Sequence, residues 1–251
     1  MIYQLVKRDF QQRYVGSAAG WLWGLVHPLV LLGSYTFIFS VCLKMKPGAN
    51  QVTQNYPMFL FAGMLPWLLF SETVQRSSGS LVEQAHLITK TVFPAEIIPV
   101  SIFLSSLISH LLALLLAMFA AIVALRHFSL GVAVLPAFMF FLGLFAIGIG
   151  WIVSSLQVYL RDTAQIMMVI LTLWFWVTPI LIDESQFPRW AEFALRVNPL
   201  AYIVRAYREL LLGNGLPPWP DFAITFAFSA LAFVAGGLFF RHVKRGFADV
   251  L

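Results

Sequence analysis

The sequence predicts an all-α integral membrane protein, and two observations support this. Hydrophobic residues make up 60% of the 251-residue chain and charged residues only 11%, whereas soluble domains carry roughly 25% charged residues. The apolar residues also run continuously for about 20 residues or more, which is the length of a membrane-spanning helix. They do not alternate with polar residues as the strands of a β-barrel would. So little polar surface could not cover a globule in water.

The first element is an interfacial helix within residues 1–20. In IYQLVKRDFQQRYV the apolar side chains lie near one face and Lys7 and Arg8 on another, as in helices that rest in the membrane surface. Trp21 and Trp23 then mark the depth of the headgroups. Within one domain, 1–251, six spans follow at about 22–43, 57–76, 97–125, 131–157, 164–182 and 221–240.

The distribution of lysine and arginine predicts the orientation. Nine of these residues fall on the side of the two termini and three in the short loops of the other side, with four more in the segment 183–220. Because short cytoplasmic loops carry the excess of positive charge, both termini are predicted in the cytoplasm. The net charge of +5 comes from residues at the ends of apolar runs. That placement favours contact with anionic lipid over nucleic acid.

The segment 183–220 predicts paired re-entrant helices that form an external gate. Asn198 can cap a helix, Pro199 suits its first position, and Gly213 suits the residue after its end. Its about 14 residues reach only about 21 Å, short of a ~30 Å hydrocarbon core. Arg205 and Glu209 are four residues apart and are expected to be neighbours, as are Glu192 and Arg196. The alternative is a pair of helices resting on the outer surface.

Few groups with catalytic potential lie inside the spans. His110 is the one ionisable residue well inside a span, and we expect a satisfied interior group there. Glu72 and Arg76 are four residues apart and are expected to pair. The histidines are too scattered to predict a metal site. Without a G-x-x-x-x-G-K-[ST] phosphate loop, the chain is predicted not to hydrolyse ATP by that mechanism, and no catalytic residues are assigned.

The chain resembles the membrane subunits of ABC-2-type polysaccharide exporters, in particular the O-antigen exporter permeases. Four segments carry the resemblance, in order along the chain: RYVGSAAGWLWGLVHPL at 13–29, FAGMLPWLLFSETVQRSSGSLVEQAHLITKTVFPAEIIPV at 61–100, YLRDTAQIMMVILTLWFWVTPI at 159–180 and VNPLAYIVRAYRELLLG at 197–213. The likeness implies a homodimer with two copies of a cytoplasmic ATPase subunit. That subunit would bind ATP and Mg²⁺, and this chain would need no cofactor.

The likeness also implies a function and the residues that serve it. A polyprenyl-diphosphate-linked glycan would pass outward through a channel between the two copies, across the bacterial inner membrane, in lipopolysaccharide biosynthesis. The loop 77–96 would carry the ATPase-coupling helix, with Leu81, Glu83, Gln84 and His86, unless it is a solvated turn.

Three further groups of residues follow from the same reading. The lipid headgroup or interface residues are Lys7, Arg8, Arg13 and Tyr14. The channel aromatics are Tyr35, Phe39, Phe59, Trp67, Trp174 and Trp176. The external gate residues are Trp190, Phe193, Asn198, Pro199 and Tyr202.

Other functions remain open at this point. A capsule or teichoic acid exporter, or an ABC-2 drug or lipid efflux permease, would share these features. A non-transporting membrane scaffold or an intramembrane enzyme belongs to a different class, and it would lack an obligate ATPase partner.

Overall fold

The computed structural model describes residues 2–14, 17, 20–48, 51–86, 93–126, 129–213 and 215–247; the side chains of Gln12, Tyr14 and Trp21 lie outside the description. Within these ranges all regular structure is helical. The α-helices are α1 Ile2–Tyr14, α2 Trp23–Tyr35, α3 Tyr56–Glu83, α4 Ile97–Leu125, α5 Leu135–Tyr159, α6 Thr163–Val177, α7 Glu192–Val197, α8 Pro199–Leu212 and α9 Trp219–Val243. A π-helix, Thr36–Cys42, continues α2.

Among the described residues, five helical stretches are long and apolar enough to cross a membrane: Trp23–Cys42, Tyr56–Glu83, Ile97–Leu125, Leu130–Tyr159 and Trp219–Gly246. They coincide with the first four predicted spans and the last one. The predicted fifth span, 164–182, is a helix of 15 residues, or about 22 Å. It ends early because Pro179 disfavours helical backbone at Thr178, which is extended. A sixth span therefore remains a prediction.

Helix α3 is the centre of the bundle. Phe59, Leu60, Phe70 and Val74 on this helix are fully buried, and α3 packs against α4, α5 and α8. In α2, by contrast, no side chain is buried. Helix α2 therefore forms an outer wall, and one face of α3 beside it is left partly uncovered.

Helices α5 and α9 cross closely at small residues. A Cβ added to Gly236 would fall inside van der Waals contact of the Gly148 carbonyl, and one added to Gly148 would overlap the backbone of Ala232. One turn further, the Trp151 ring packs 4.8 Å from the Phe233 ring. Small residues at such a crossing let two backbones approach inside a membrane.

Ion pairs hold α1 against α3. The Arg76 guanidinium donates to both carboxylate oxygens of Asp9 at 2.7 Å, and Arg13 lies 2.5 Å from Glu72. Ser106 on α4 donates to Glu72 at 2.7 Å. The predicted pair between Glu72 and Arg76 is long, at 3.7 Å, because α1 brings each of them a nearer opposite charge.

Helix α1 and the end of α9 lie at one end of the bundle, which we call the terminal end; the other is the distal end. Lys244, after α9, bonds both carboxylate oxygens of Glu96, before α4, at 2.8 and 2.9 Å. The Trp151 indole donates to the Glu96 carbonyl at 2.9 Å. Burial raises the pKa of Glu96, but the hydrogen bonds and charge of Lys244 outweigh it and hold the pKa below its ordinary value. The last helix is thereby fixed to the end of the predicted coupling loop.

Replacing Gly236 by Ala should weaken the crossing of α5 and α9. The added methyl group meets backbone atoms that cannot rotate away, so the expected loss is about 1–3 kcal/mol, seen as a lower unfolding temperature of the detergent-purified chain. Gly237→Ala is the matched control, because its Cβ would lie 3.4 Å from the Trp151 ring, an ordinary contact. Equal unfolding temperatures for the two variants would contradict the crossing.

Replacing Asp9 by Ala should release α1 from α3. Charge-assisted hydrogen bonds of this kind contribute about 1.5–3 kcal/mol, so amide hydrogen exchange over residues 2–14 should rise. The exchanged pair Asp9→Arg with Arg76→Asp should restore protection. Lys7→Ala, at an exposed position on the same helix, should leave exchange unchanged. Unaltered exchange in Asp9→Ala would show that this pair does not hold α1.

Candidate functional site

The uncovered face of α3 forms the floor of a groove, which we call the aromatic groove. It encloses about 280 Å³ between α2, α3 and α6. Met64, Trp67, Leu68, Ser71 and Gln75 on α3 line it, and their spacing places them on one helical face. The other lining residues are Leu31, Tyr35, Met168, Leu171, Thr172, Phe175 and Trp176.

Aromatic rings follow one another along this groove. Phe175 stacks on Tyr35 with 5.8 Å between ring centroids, lies 5.5 Å from Trp67 and lies 5.7 Å from Trp176. The hydroxyl of Thr172 lies on the same wall. Flat rings interleaved with uncharged polar groups can contact both the C–H faces and the hydroxyl groups of sugar rings.

A second cavity continues the aromatic groove toward the terminal end. Its volume is about 260 Å³, and it shares Leu68, Ser71 and Gln75 with the aromatic groove. Its remaining lining residues are Arg13, Trp23, Gly24, His27, Pro28, Glu72 and Arg76. The combined groove thus runs from a charged mouth at the terminal end to aromatic walls within the bundle.

The predicted headgroup residues separate in the structure. Arg13 lines the mouth, but its guanidinium is paired with Glu72. Arg8 donates to the Gln84 side chain at 3.0 Å, and Lys7 is exposed. The side chain of Tyr14 lies outside the described residues. The mouth therefore presents arginines that are already paired with carboxylates.

Three of the six predicted channel aromatics line the groove: Tyr35, Trp67 and Trp176. Phe39, Phe59 and Trp174 do not. Trp174 is two residues from Trp176 and therefore points to nearly the opposite side of α6, where its ring lies 5.2 Å from Phe70. Phe175 was not among the predicted channel aromatics, because a continuous apolar run does not show which face of the helix lines a groove.

Phe59 is fully buried because a guanidinium covers it. The Cζ atom of Arg208 lies 3.5 Å from the Phe59 ring centroid. Arg208 also donates to the Phe59 carbonyl at 3.2 Å and to the Ile180 carbonyl at 2.7 Å. An alanine at Gly63 would overlap this guanidinium, with its Cβ 2.7 Å from Nη2. Sequence reasoning missed Arg208, although its position four residues after Val204 places it beside the apolar face of α8.

The predicted external gate divides into a packed part and an exposed part. Asn198 caps α8 by accepting from the Leu200 amide at 3.1 Å, as predicted, and it also accepts from the Trp174 indole at 2.9 Å. Pro199 starts the helix, and Tyr202 is buried and donates to the Arg196 carbonyl. Trp190 and Phe193 are instead 84% and 74% exposed. Helix α8 is thus enclosed by the bundle, whereas α7 lies at its surface.

Arg205 and Glu209 line the same cavity, as expected of neighbours on one helix, but no ion pair joins them. Arg205 binds Glu184 at 2.6 Å and Asp221 at 2.7 Å, and Glu209 accepts from the Gly215 amide at 3.2 Å. Segments distant in sequence bring Arg205 nearer acids than the one on its own helix. The other expected neighbours, Glu192 and Arg196, do form an ion pair, at 3.5 Å.

The predicted coupling residues also differ in accessibility. Leu81 is fully buried because it completes the apolar face of α3, so its side chain is not available to a partner. Gln84 is bonded to Arg8. Glu83 and His86 are exposed at the terminal end, and residues 87–92 of the loop lie outside the described part of the chain.

His110 is a satisfied interior group, as expected from the sequence. It is buried, and its Nε2 lies 3.1 Å from the Tyr207 hydroxyl, a contact that joins α4 to α8. Among the described residues there is no group of three histidine, cysteine or acidic side chains able to hold a metal ion.

Comparisons with known proteins identify relatives that are named for polysaccharide export or transport. An O-antigen export system permease protein RfbA of Myxococcus xanthus is 27% identical over 99% of this chain and 94% of that protein. A protein of the same name from Klebsiella pneumoniae is 27% identical over 100% and 95%. A polysialic acid transport protein KpsM of Escherichia coli is 23% identical over 83% and 80%. The family model for ABC-2 type transporters matches residues 1–212, and the chain therefore belongs to the ABC-2 type transporter family.

Proposed function

We propose that this chain is the membrane permease of an ATP-driven exporter of a lipid-linked, O-antigen-like polysaccharide. The observation that carries the proposal is the continuous groove with its charged mouth, aromatic walls and uncharged polar groups. Sugar rings present C–H faces to aromatic rings and hydroxyl groups to polar side chains. Relatives named for O-antigen export align along almost the whole chain.

A second copy of the chain would close the groove into a channel. The groove is open on one side, and its walls α2 and α6 have exposed apolar faces, with Val30, Val169 and Leu173 about 60% exposed. Two such faces related by a two-fold axis would bury one another. In this assembly α6 is the fifth of six spans, and α7 and α8 form a gate at the distal end.

The terminal end faces the cytoplasm of a bacterium, and the permease lies in the inner membrane. The excess of lysine and arginine on that side supports this orientation. The diphosphate of the carrier lipid would meet the mouth, where Arg13 and Arg76 can exchange carboxylate for phosphate partners. A separate ATPase subunit, present twice, would supply the energy and bind ATP and Mg²⁺.

Export of a capsular polysaccharide is the second candidate. The polysialic acid transport protein KpsM aligns over 83% of the chain, and the groove geometry suits either polymer. The two candidate functions differ in which lipid-linked glycan stimulates ATP hydrolysis by the partner subunit.

The first test is purification of the tagged chain in mild detergent, with identification of stoichiometric partners. A nucleotide-binding subunit in equal copy number, whose ATPase activity rises with lipid-linked glycan, is expected. A chain that purifies without such a subunit, from membranes where the subunit is shown to be expressed and detergent-stable, would overturn the proposal.

Filling the groove should block export. Thr172→Trp places an indole in the aromatic groove from an exposed position on α6, so glycan export by the reconstituted complex should fall strongly while assembly is kept. Leu231→Trp is the matched control, because Leu231 is 66% exposed on α9, away from the groove. Full export by Thr172→Trp would show that the glycan does not pass through the aromatic groove.

Reversing the charge of Glu83 should uncouple the ATPase. Glu83 is exposed at the terminal end, so Glu83→Lys should lower glycan-stimulated ATP hydrolysis several-fold and leave membrane insertion intact. Lys44→Glu, a charge reversal at an exposed side chain of the distal end, should hydrolyse ATP like the unaltered chain. Normal stimulation in Glu83→Lys would exclude this residue from coupling.

A further inference from the structure

A third cavity, which we call the distal cavity, lies outside the groove. It encloses about 340 Å³, within the size range of small-ligand pockets, about 300–1,000 Å³. Four separate segments meet in it, and it shares no lining residue with the aromatic groove. Its lining residues are Gln51, Val52, Asp183, Glu184, Arg205, Arg208, Glu209, Leu216, Pro217 and Pro218.

Arg208 gives this cavity an unused hydrogen-bond donor. The residue is only 4% exposed, and its Nε and Nη2 atoms donate to backbone carbonyls. Its Nη1 has no hydrogen-bond partner among the described residues, and no ion pair in that part of the chain includes Arg208. The Arg208 charge itself rests on the Phe59 ring, and its open Nη1 donor favours an occupant that can accept a hydrogen bond.

Glu209 gives the same cavity an unused acceptor. Its Oε1 accepts from the Gly215 amide at 3.2 Å, whereas Oε2 has no partner within the described ranges. An open donor and an open acceptor in one cavity match a hydroxyl group, which can accept from one and donate to the other. Two adjacent hydroxyl groups on one sugar ring could bind the Arg208 donor and the Glu209 acceptor together.

The remaining lining selects against anionic ligands. The cavity carries two arginines, Arg205 and Arg208, and three acids, Asp183, Glu184 and Glu209, so its formal charge is 2 − 3 = −1. Arg205 is already paired with Glu184, and Asp183 accepts from the Gln51 amide at 2.5 Å. An anionic ligand would meet net repulsion. The apolar wall of valine, leucine and two prolines suits the C–H face of a sugar ring.

We propose that the distal cavity is a binding subsite for a neutral saccharide unit, on the side where the glycan leaves. This rests on the proposed function, which supplies the glycan and the direction of transport. The subsite would hold one sugar unit of the emerging chain through Arg208 and Glu209, beside α8. Holding it there would oppose backward movement between successive transport steps.

Sugar binding to the detergent-purified full chain tests the subsite without the ATPase. Saturation-transfer nuclear magnetic resonance would compare maltose with glucuronate, and maltose should give the stronger signal. Leu216→Trp should reduce the maltose signal several-fold by filling the cavity, from a side chain that is 67% exposed. Leu130→Trp, at an 85% exposed position outside the cavity lining, should bind as the unaltered chain does.

Two results would overturn the subsite: a maltose signal unchanged by Leu216→Trp, or glucuronate bound more strongly than maltose. Val52→Phe fills the cavity from another segment and settles the question if Leu216→Trp does not fold. Export by the reconstituted complex separates the two proposals. If the complex exports glycan while Leu216→Trp still binds maltose, the subsite is wrong and the permease function stands. If the complex exports nothing, the proposed function itself fails.

Discussion

The pairing of charges against α3 is the constraint on which the rest of this structure depends. An unpaired charge in an apolar bundle costs several kcal/mol, so each charge that touches α3 needs a partner held in place. Asp9 and Arg13 on α1 pair with Arg76 and Glu72 at one end of α3. At the other end Arg208 rests on the Phe59 ring and binds its carbonyl. The interfacial helix and the enclosed helix α8 are thereby positioned on one central helix.

The groove is a consequence of this arrangement. Helix α3 is covered by α4, α5 and α8 on the sides where it is packed and paired, and the side facing α2 and α6 is left open. Its polar residues there are Ser71 and Gln75, which carry no formal charge. The charged residues that touch α3 are paired near its ends. The middle of the groove therefore offers aromatic rings and neutral polar groups, which attract neither cations nor anions strongly.

Helix α1 and the end of α9 are joined to the loop that contacts a partner in the proposed function. Gln84, in the loop expected to bind the ATPase, is bonded to Arg8 of α1. Glu96, the last residue of that loop, is bonded to Lys244, which follows the last helix. A displacement of the loop would therefore move α1 and α9 together with α3. At the distal end, the Trp174 indole joins α6 to the cap of α8, so the groove wall and the predicted gate are in contact.

The sequence by itself determined the membrane class, most span positions, the cap at Asn198 and the interior role of His110. The class, the spans and the cap follow from length, hydropathy and local hydrogen bonding, which depend on neighbouring residues alone. For His110 the apolar run indicated burial, and another helix supplied the Tyr207 hydroxyl that satisfies it. Only the tertiary structure decided that Phe175 faces the groove and Trp174 does not, that Leu81 is buried, and that Arg205 binds acids distant in sequence. A helix that is apolar all round has no polar face to show which side packs against the protein. The nearest opposite charge, in turn, is set by how the helices pack.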